Sequence, residues 1–158
     1  MKAKLSSLAL ALAAVFCLAS AVPAQGPLAL SKEQTLYLPL VSHVYLGAKN
    51  KPYSLTKTFC FRNRDRNNAV SLLSIEYFNG SGASLGNVLK KSLSIEPMAS
   101  FQIPVGSPKP DKSKQGSPCL IVRWKAEKPV TPPLVQCIMI GAAGQQGISF
   151  STTATPIR

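Results

Sequence analysis

The chain has 158 residues, with 18 Lys and Arg, 6 Asp and Glu, one His and four Cys, and a formal net charge of +12. That length allows one domain, and a single His excludes a two-histidine metal site within the chain. Any paired-carboxylate chemistry must draw on Glu33, Asp65, Glu76, Glu96, Asp111 and Glu127 alone.

Residues 1–24 read as a secretory signal peptide. Lys2 and Lys4 supply the positive start, residues 5–18 are mostly apolar, and Ala21-Val22-Pro23-Ala24 offers small residues for cleavage after Ala24. The apolar run is shorter than the ~20 residues a bilayer span needs, and no later run matches it. The expectation is therefore a periplasmic or secreted protein. Phe16, bulky before Cys17, argues against a lipid anchor there. Residues 25–33 read as a leader and 34–158 as the single domain. Cleavage leaves Cys60, Cys119 and Cys137. An odd count leaves at least one thiol free or paired with another chain, and all three pairings stay open. No Cys-x-x-Cys is present, which excludes a thioredoxin-like motif and covalent haem attachment.

The rest of the chain has the punctuation of an all-β domain. Leu36, Leu38 and Leu40 alternate and predict a strand over 35–41, with Pro39 marking an edge or a bulge. Residues 47–52 read as a basic turn. A strand over 54–62 puts Phe59 and Phe61 on one face and Thr58 and Cys60 on the other. After a polar turn at 63–68, the strand over 69–78 changes parity between Leu72 and Ile75, which predicts a bulge at Leu73-Ser74. Asn79-Gly80-Ser81-Gly82 is a hairpin signal. Strands over 88–95 and 99–104 are split by Glu96-Pro97, and 105–118 is a loop too polar to pack. Residues 119–126 alternate with Leu120, Val122 and Trp124 inward. Residues 127–133 form a Pro-rich connection, 134–140 a central apolar strand, 141–147 a Gly/Gln loop and 148–152 the last strand. About eight short strands at this spacing predict an immunoglobulin-like antiparallel β-sandwich, with a small β-barrel as the alternative.

Three segments carry a resemblance. They are Ser42-His43-Val44-Tyr45, Arg62-Asn63-x-Asp65, and a long one from Trp124-Lys125 through Lys128-Pro129-Val130 and Pro132-Pro133 to Ile138-Met139-Ile140-Gly141 and Gly144-Gln145-Gln146-Gly147-Ile148-Ser149-Phe150. In these the chain resembles an uncharacterised family of small exported bacterial proteins, a domain of unknown function. The resemblance spans most of residues 25–158 and implies no activity or cofactor. The cysteines are not part of its pattern.

Candidate chemistry is sparse. His43 could act as a general base, but Ser42 would point to the opposite face of a strand, so a nucleophile such as Ser149 would have to come from elsewhere. The glycines of 141–147 lack the following helix and the lysine of a phosphate-binding loop. Cys137-x-Met139 with His43 or Met98 could form a soft copper site, though packing is the ordinary use of such a pair. Basic residues cluster at Arg62, Arg64 and Arg66; at Lys90 and Lys91; at Lys109, Lys112 and Lys114; and at Arg123, Lys125 and Lys128. Export argues against a nucleic-acid partner and for an anionic envelope polymer, a protein or a lipid surface touched peripherally. The reading that results is a non-catalytic binding or structural module of the bacterial envelope, with no cofactor, catalytic residue or metal site. Its binding residues are His43, Tyr45, Gln145, Gln146 and Ser149, which meet in one patch if the first and last strands are neighbours. The alternatives are a periplasmic hydrolase using His43 and a copper carrier. Ligand and oligomeric state stay open.

Overall fold

The computed structural model describes residues 29–47, 49–107, 116–143 and 146–157. Among them are twelve strands and no helix: β1 (Ser31–Pro39), β2 (His43–Leu46), β3 (Lys51–Ser54), β4 (Thr56–Arg62), β5 (Val70–Phe78), β6 (Ser84–Asn87), β7 (Leu93–Ile95), β8 (Ser100–Pro104), β9 (Cys119–Val130), β10 (Leu134–Ala143), β11 (Gln146–Thr153) and β12 (Thr155–Ile157). One sheet runs β12-β1-β9-β5-β6, with β7 also on β5; the second runs β11-β10-β4-β8; β2 and β3 form a separate hairpin. All pairings are antiparallel. The two large sheets stay open, so the fold is a β-sandwich and not the barrel alternative.

Alternation explains the core. Leu36 and Leu38 of β1, Phe59 and Phe61 of β4, and Leu120, Val122 and Trp124 of β9 are all buried between the sheets, because residues two apart share a strand face. The β5–β9 register shifts between Leu72 and Ser74, which is the predicted bulge. The chain changes sheets at two places on one side of the sandwich. After β1, the Leu40 N–H donates to the Pro118 carbonyl and the Val41 N–H to Met139 Sδ (3.2 Å). After β11, the Ala154 N–H donates to the Val135 carbonyl before β12 joins β1.

Several boundaries differ from the sequence reading. β1 begins at Ser31, inside the stretch read as leader, and Ser31 pairs with Val130. The basic turn at 47–52 sits at the tip of the β2–β3 hairpin, with Gly47 and Asn50 at positive φ. The strand expected over 88–95 keeps only Leu93–Ile95. Asn87 Oδ1 accepts from the Ile75 and Leu89 N–H groups, so the chain turns away there. β9 runs to Val130 through what reads as a Pro-rich connection. Lys125 pairs with Glu33 and Val130 with Ser31, so residues 126–129 bulge opposite Lys32 alone.

Candidate functional site

The loop after β4 is held by two buried polar side chains. The Asn63 amide Nδ2 donates to the carbonyls of Asn68 (2.9 Å), Ile95 (3.1 Å) and Glu96 (3.0 Å), while its Oδ1 accepts from the Asp65 N–H (3.0 Å). Asp65 Oδ1 accepts from the N–H groups of Asn67 and Asn68 and from Asn68 Nδ2, and Oδ2 accepts from the Thr131 N–H (3.1 Å). These donors, the backbone N–H groups of Asn67 and Thr131 foremost, hold the Asp65 carboxyl below its usual value. Arg64 adds a fork, Nε and Nη2 both donating to the Pro132 carbonyl (3.1 and 2.8 Å). Arg62-Asn63-x-Asp65 therefore clips one end of β4 to the start of β10, and its buried members build the loop instead of facing a ligand.

That clip shapes a cleft. Glu33, Lys125, Ser71 and Ser94 stand opposite one another in a row across β1, β9, β5 and β7, on the outer face of the first sheet. The loop residues Asn67 and Asn68 rise on one side of this floor, and the bulge bearing Lys128 rises on the other. Together they enclose about 500 Å3. Lys125 and Lys128 are exposed, with Glu33 opposite Lys125 across the β1–β9 pair. Two ammonium groups with amide and hydroxyl donors between them suit anionic oxygens, with Glu127 on the lining and Glu33 beside Lys125 as the nearby carboxylates. Sequence reasoning grouped Lys125 and Lys128 as a basic cluster but did not bring Asn67, Asn68, Ser71 and Ser94 to them. The strand registers do so, and Pro129 directly after Lys128 was the available signal of a bulge.

The residues singled out from sequence lie at the other end of β4. His43 and Tyr45 are brought together. Their rings meet edge to face at 5.2 Å, with His43 Nε2 3.2 Å from the Tyr45 hydroxyl. Both are exposed, on the outer side of the β2–β3 hairpin. The inner side carries Val44 and Tyr53, which pair with each other. Tyr53 covers Gly141, where a Cβ would lie 2.5 Å from the ring and 2.8 Å from Leu55, so only glycine admits this packing. Gly141 pairs with Ile148, and Ile140 with Ser149. Ser149 therefore faces the side of β10–β11 away from the hairpin, apart from His43 and Tyr45. Gln146 pairs with Ala143 in register, and Gln145 lies outside the described residues.

The other candidate sets are dispersed. Ser42 Oγ accepts from Lys57 Nζ at 3.5 Å, on the inner side, away from the His43 ring. Burial pushes the Lys57 ammonium below its usual value. Cys137 and Met139 are fully buried, and burial pushes the Cys137 thiol up to about 11. Met98 lies beside Asp65, its N–H donating to the Asp65 carbonyl, at the far end of the sandwich from His43. No three His, Cys, Asp or Glu residues among those described gather as a metal site. Cys60, Cys119 and Cys137 are unpaired. Cys60 faces out of its sheet and Cys137 in, so these neighbours cannot bridge without a shift of backbone.

The molecule is thus an open antiparallel sandwich with a polar basic cleft on one sheet and an aromatic pair on a hairpin at the opposite end. Residues 33–157 match the family described as "Protein of unknown function (DUF3124)", and the chain belongs to that family. Among solved structures, the crystal structure of Thermotoga maritima 1070 is a distant neighbour, with TM-score 0.45 and 10% identity over 77% of this chain and 92% of that one. No curated protein matches the sequence.

Proposed function

We propose that this protein is an exported, non-catalytic binding module of the bacterial envelope and that it holds an anionic polymer in the cleft between Asn67-Asn68 and Lys128. The observation that carries this reading is the convergence of Lys125 and Lys128 with the hydroxyl and amide groups of Ser71, Ser94, Asn67 and Asn68 in one cleft. Phosphate or carboxylate groups on a polymer would accept hydrogen bonds from both ammonium groups and from the amide and hydroxyl donors between them, and an open cleft suits a repeating chain. The export half of the proposal rests on the features of residues 1–24. It expects an N-terminus at Gln25 in protein recovered from the cell envelope.

The binding half is tested by titrating the processed chain with sodium polyphosphate and with polygalacturonate, using neutral dextran as the control. A Lys125→Glu, Lys128→Glu double variant is expected to lose at least about tenfold in affinity, equivalent to about 1.4 kcal/mol. Lys90→Glu, Lys91→Glu, the same charge change at exposed residues elsewhere, should lose much less. Equal losses in the two variants would show diffuse charge attraction and refute the cleft. The exposed His43–Tyr45 pair supports a second contact surface, an amphipathic wall for a peptide or polymer, since Tyr45 is 64% exposed.

A further inference from the structure

The outer face of β11-β10-β4-β8 differs from the rest of the surface. Residues opposite one another in antiparallel strands share a face. The registers Ser149–Ile140–Thr56, Ser151–Ile138–Thr58 and Thr153–Gln136–Cys60–Gln102 therefore define rows across this sheet, and Leu134 joins them beside Arg62 at the end of β4. Arg62, at one corner, is the only charged residue on these rows. The outer face of the other sheet carries Glu33, Glu76, Arg123 and Lys125.

In a chain of net charge +12, two copies repel wherever their contact carries lysine or arginine. The uncharged face is the surface on which that repulsion is weakest. It also has the anatomy of an interface. Ile138 and Ile140 form an apolar patch on β10, separated from Leu134 by Gln136, whose amide donates to the Thr153 hydroxyl, and short Ser and Thr side chains flank the patch on β11 and β4. Ile140 is 52% exposed, a large apolar side chain that the described residues leave half open to solvent. Short flanking side chains let a second sheet approach to the ~10 Å spacing of stacked sheets.

We propose that two copies of this chain associate face to face through this sheet, about a two-fold axis passing near Ile138. The contact is then isologous, the Ile138–Ile140 patch of each copy packing on that of the other. Four strands ~4.8 Å apart and seven residues of β10 at ~3.4 Å give roughly 450 Å2 of flat sheet per copy. Two copies give about 900 Å2, below the ~1,200–2,000 Å2 of stable complexes, so the dimer is reversible and concentration-dependent. It leaves the Lys125–Lys128 cleft, on the other sheet, open in both copies.

Sedimentation velocity of residues 25–158 between about 5 and about 500 µM spans the range expected for an interface of this size. The weight-average mass is expected to rise toward twice the monomer value. It should rise further with added salt, because screening removes repulsion while the contact itself is uncharged. Ile140→Lys, at an exposed position that folding tolerates, is expected to stay monomeric throughout. Tyr37→Lys, a 38% exposed side chain on the opposite sheet, is expected to associate as wild type does. A wild-type chain that stays monomeric, dimerisation of Ile140→Lys at wild-type concentrations, or a dimer that salt dissociates would each overturn the proposal.

Discussion

Replacing Asn63 by Ala removes four hydrogen bonds at once. Those to the Ile95 carbonyl and from the Asp65 N–H are buried; those to the Asn68 and Glu96 carbonyls are half-buried and open to water once the amide is gone. With about 1–3 kcal/mol for each buried group left unsatisfied and about 0.5 kcal/mol for each half-buried one, the loss comes to about 3–7 kcal/mol. A domain of this size has only ~5–15 kcal/mol in total. Asn63→Asp sharpens the test because it keeps the shape and the acceptor. It loses both donors, however, and places a carboxylate against three carbonyls and beside Asp65. It should be at least as unstable as Asn63→Ala at pH 7 and should recover as pH falls. Burial against three carbonyls and beside the Asp65 carboxylate raises its carboxyl pKa despite the Asp65 N–H, so the charge is lost on acidification, and a protonated carboxyl can donate again. Urea denaturation followed by the fluorescence of Trp124, the sole tryptophan, measures both effects. An Asn63→Ala midpoint within error of wild type, or an Asn63→Asp variant no more stable at pH 5 than at pH 7, would refute the anchoring role.

Trp124, 1% exposed with its indole N–H unpartnered, should lose about 3–5 kcal/mol on truncation to Ala. Trp124→Phe, which removes the unsatisfied donor, should lose much less; far-UV circular dichroism in urea checks the pair, and equal losses would show that the N–H is satisfied. Asp65 has a depressed carboxyl pKa, so the stability it adds is present above the usual 3.8 and is lost as pH falls below that value. Asp65→Asn should therefore be less stable than wild type at pH 7, with the gap closing as pH falls below 3.8, in urea titrations at a series of pH values followed by fluorescence. Burial raises all three described thiols. In the native state, Cys60 and Cys137 should resist a disulfide exchange reagent at pH 8, while three thiols react in denaturant. For Cys137, whose pKa rises from 9.0 to about 11, the stability present below pH 9 should be lost as pH climbs toward 11.

The parts of this molecule that the sequence announces are those with one buried and one exposed face. Leu120, Val122 and Trp124 alternate because β9 lies in the middle of a sheet, and the parity slip at Leu73-Ser74 is a bulge because both halves of β5 must keep an apolar face inward. β2, β3, β6 and β12 have three or four residues each. That is too few for a period to show, and Pro52 inside β3 reads as a turn. The cleft was illegible for another reason. Lys125 meets Ser71 and Ser94 only through strand register, and the Asp65–Thr131 bond joins residues 66 positions apart. Arg62-Asn63-x-Asp65 stands out as a pattern, yet its purpose appears only once Ile95, Glu96 and Thr131 surround it. His43 and Tyr45 do meet, as two residues on one strand face must. The parity that unites them cannot say which side of the neighbouring hairpin Ser149 occupies.

The most direct test of the binding cleft is an amide-resolved NMR titration of residues 25–158 with short-chain polyphosphate at physiological salt. The largest shifts are expected at Asn67, Asn68, Ser71, Ser94 and residues 125–128, saturating together with one affinity. Shifts centred on the β2–β3 hairpin, or spread without saturation over Lys49, Lys51, Lys90 and Lys91 as much as over Lys125 and Lys128, would contradict it.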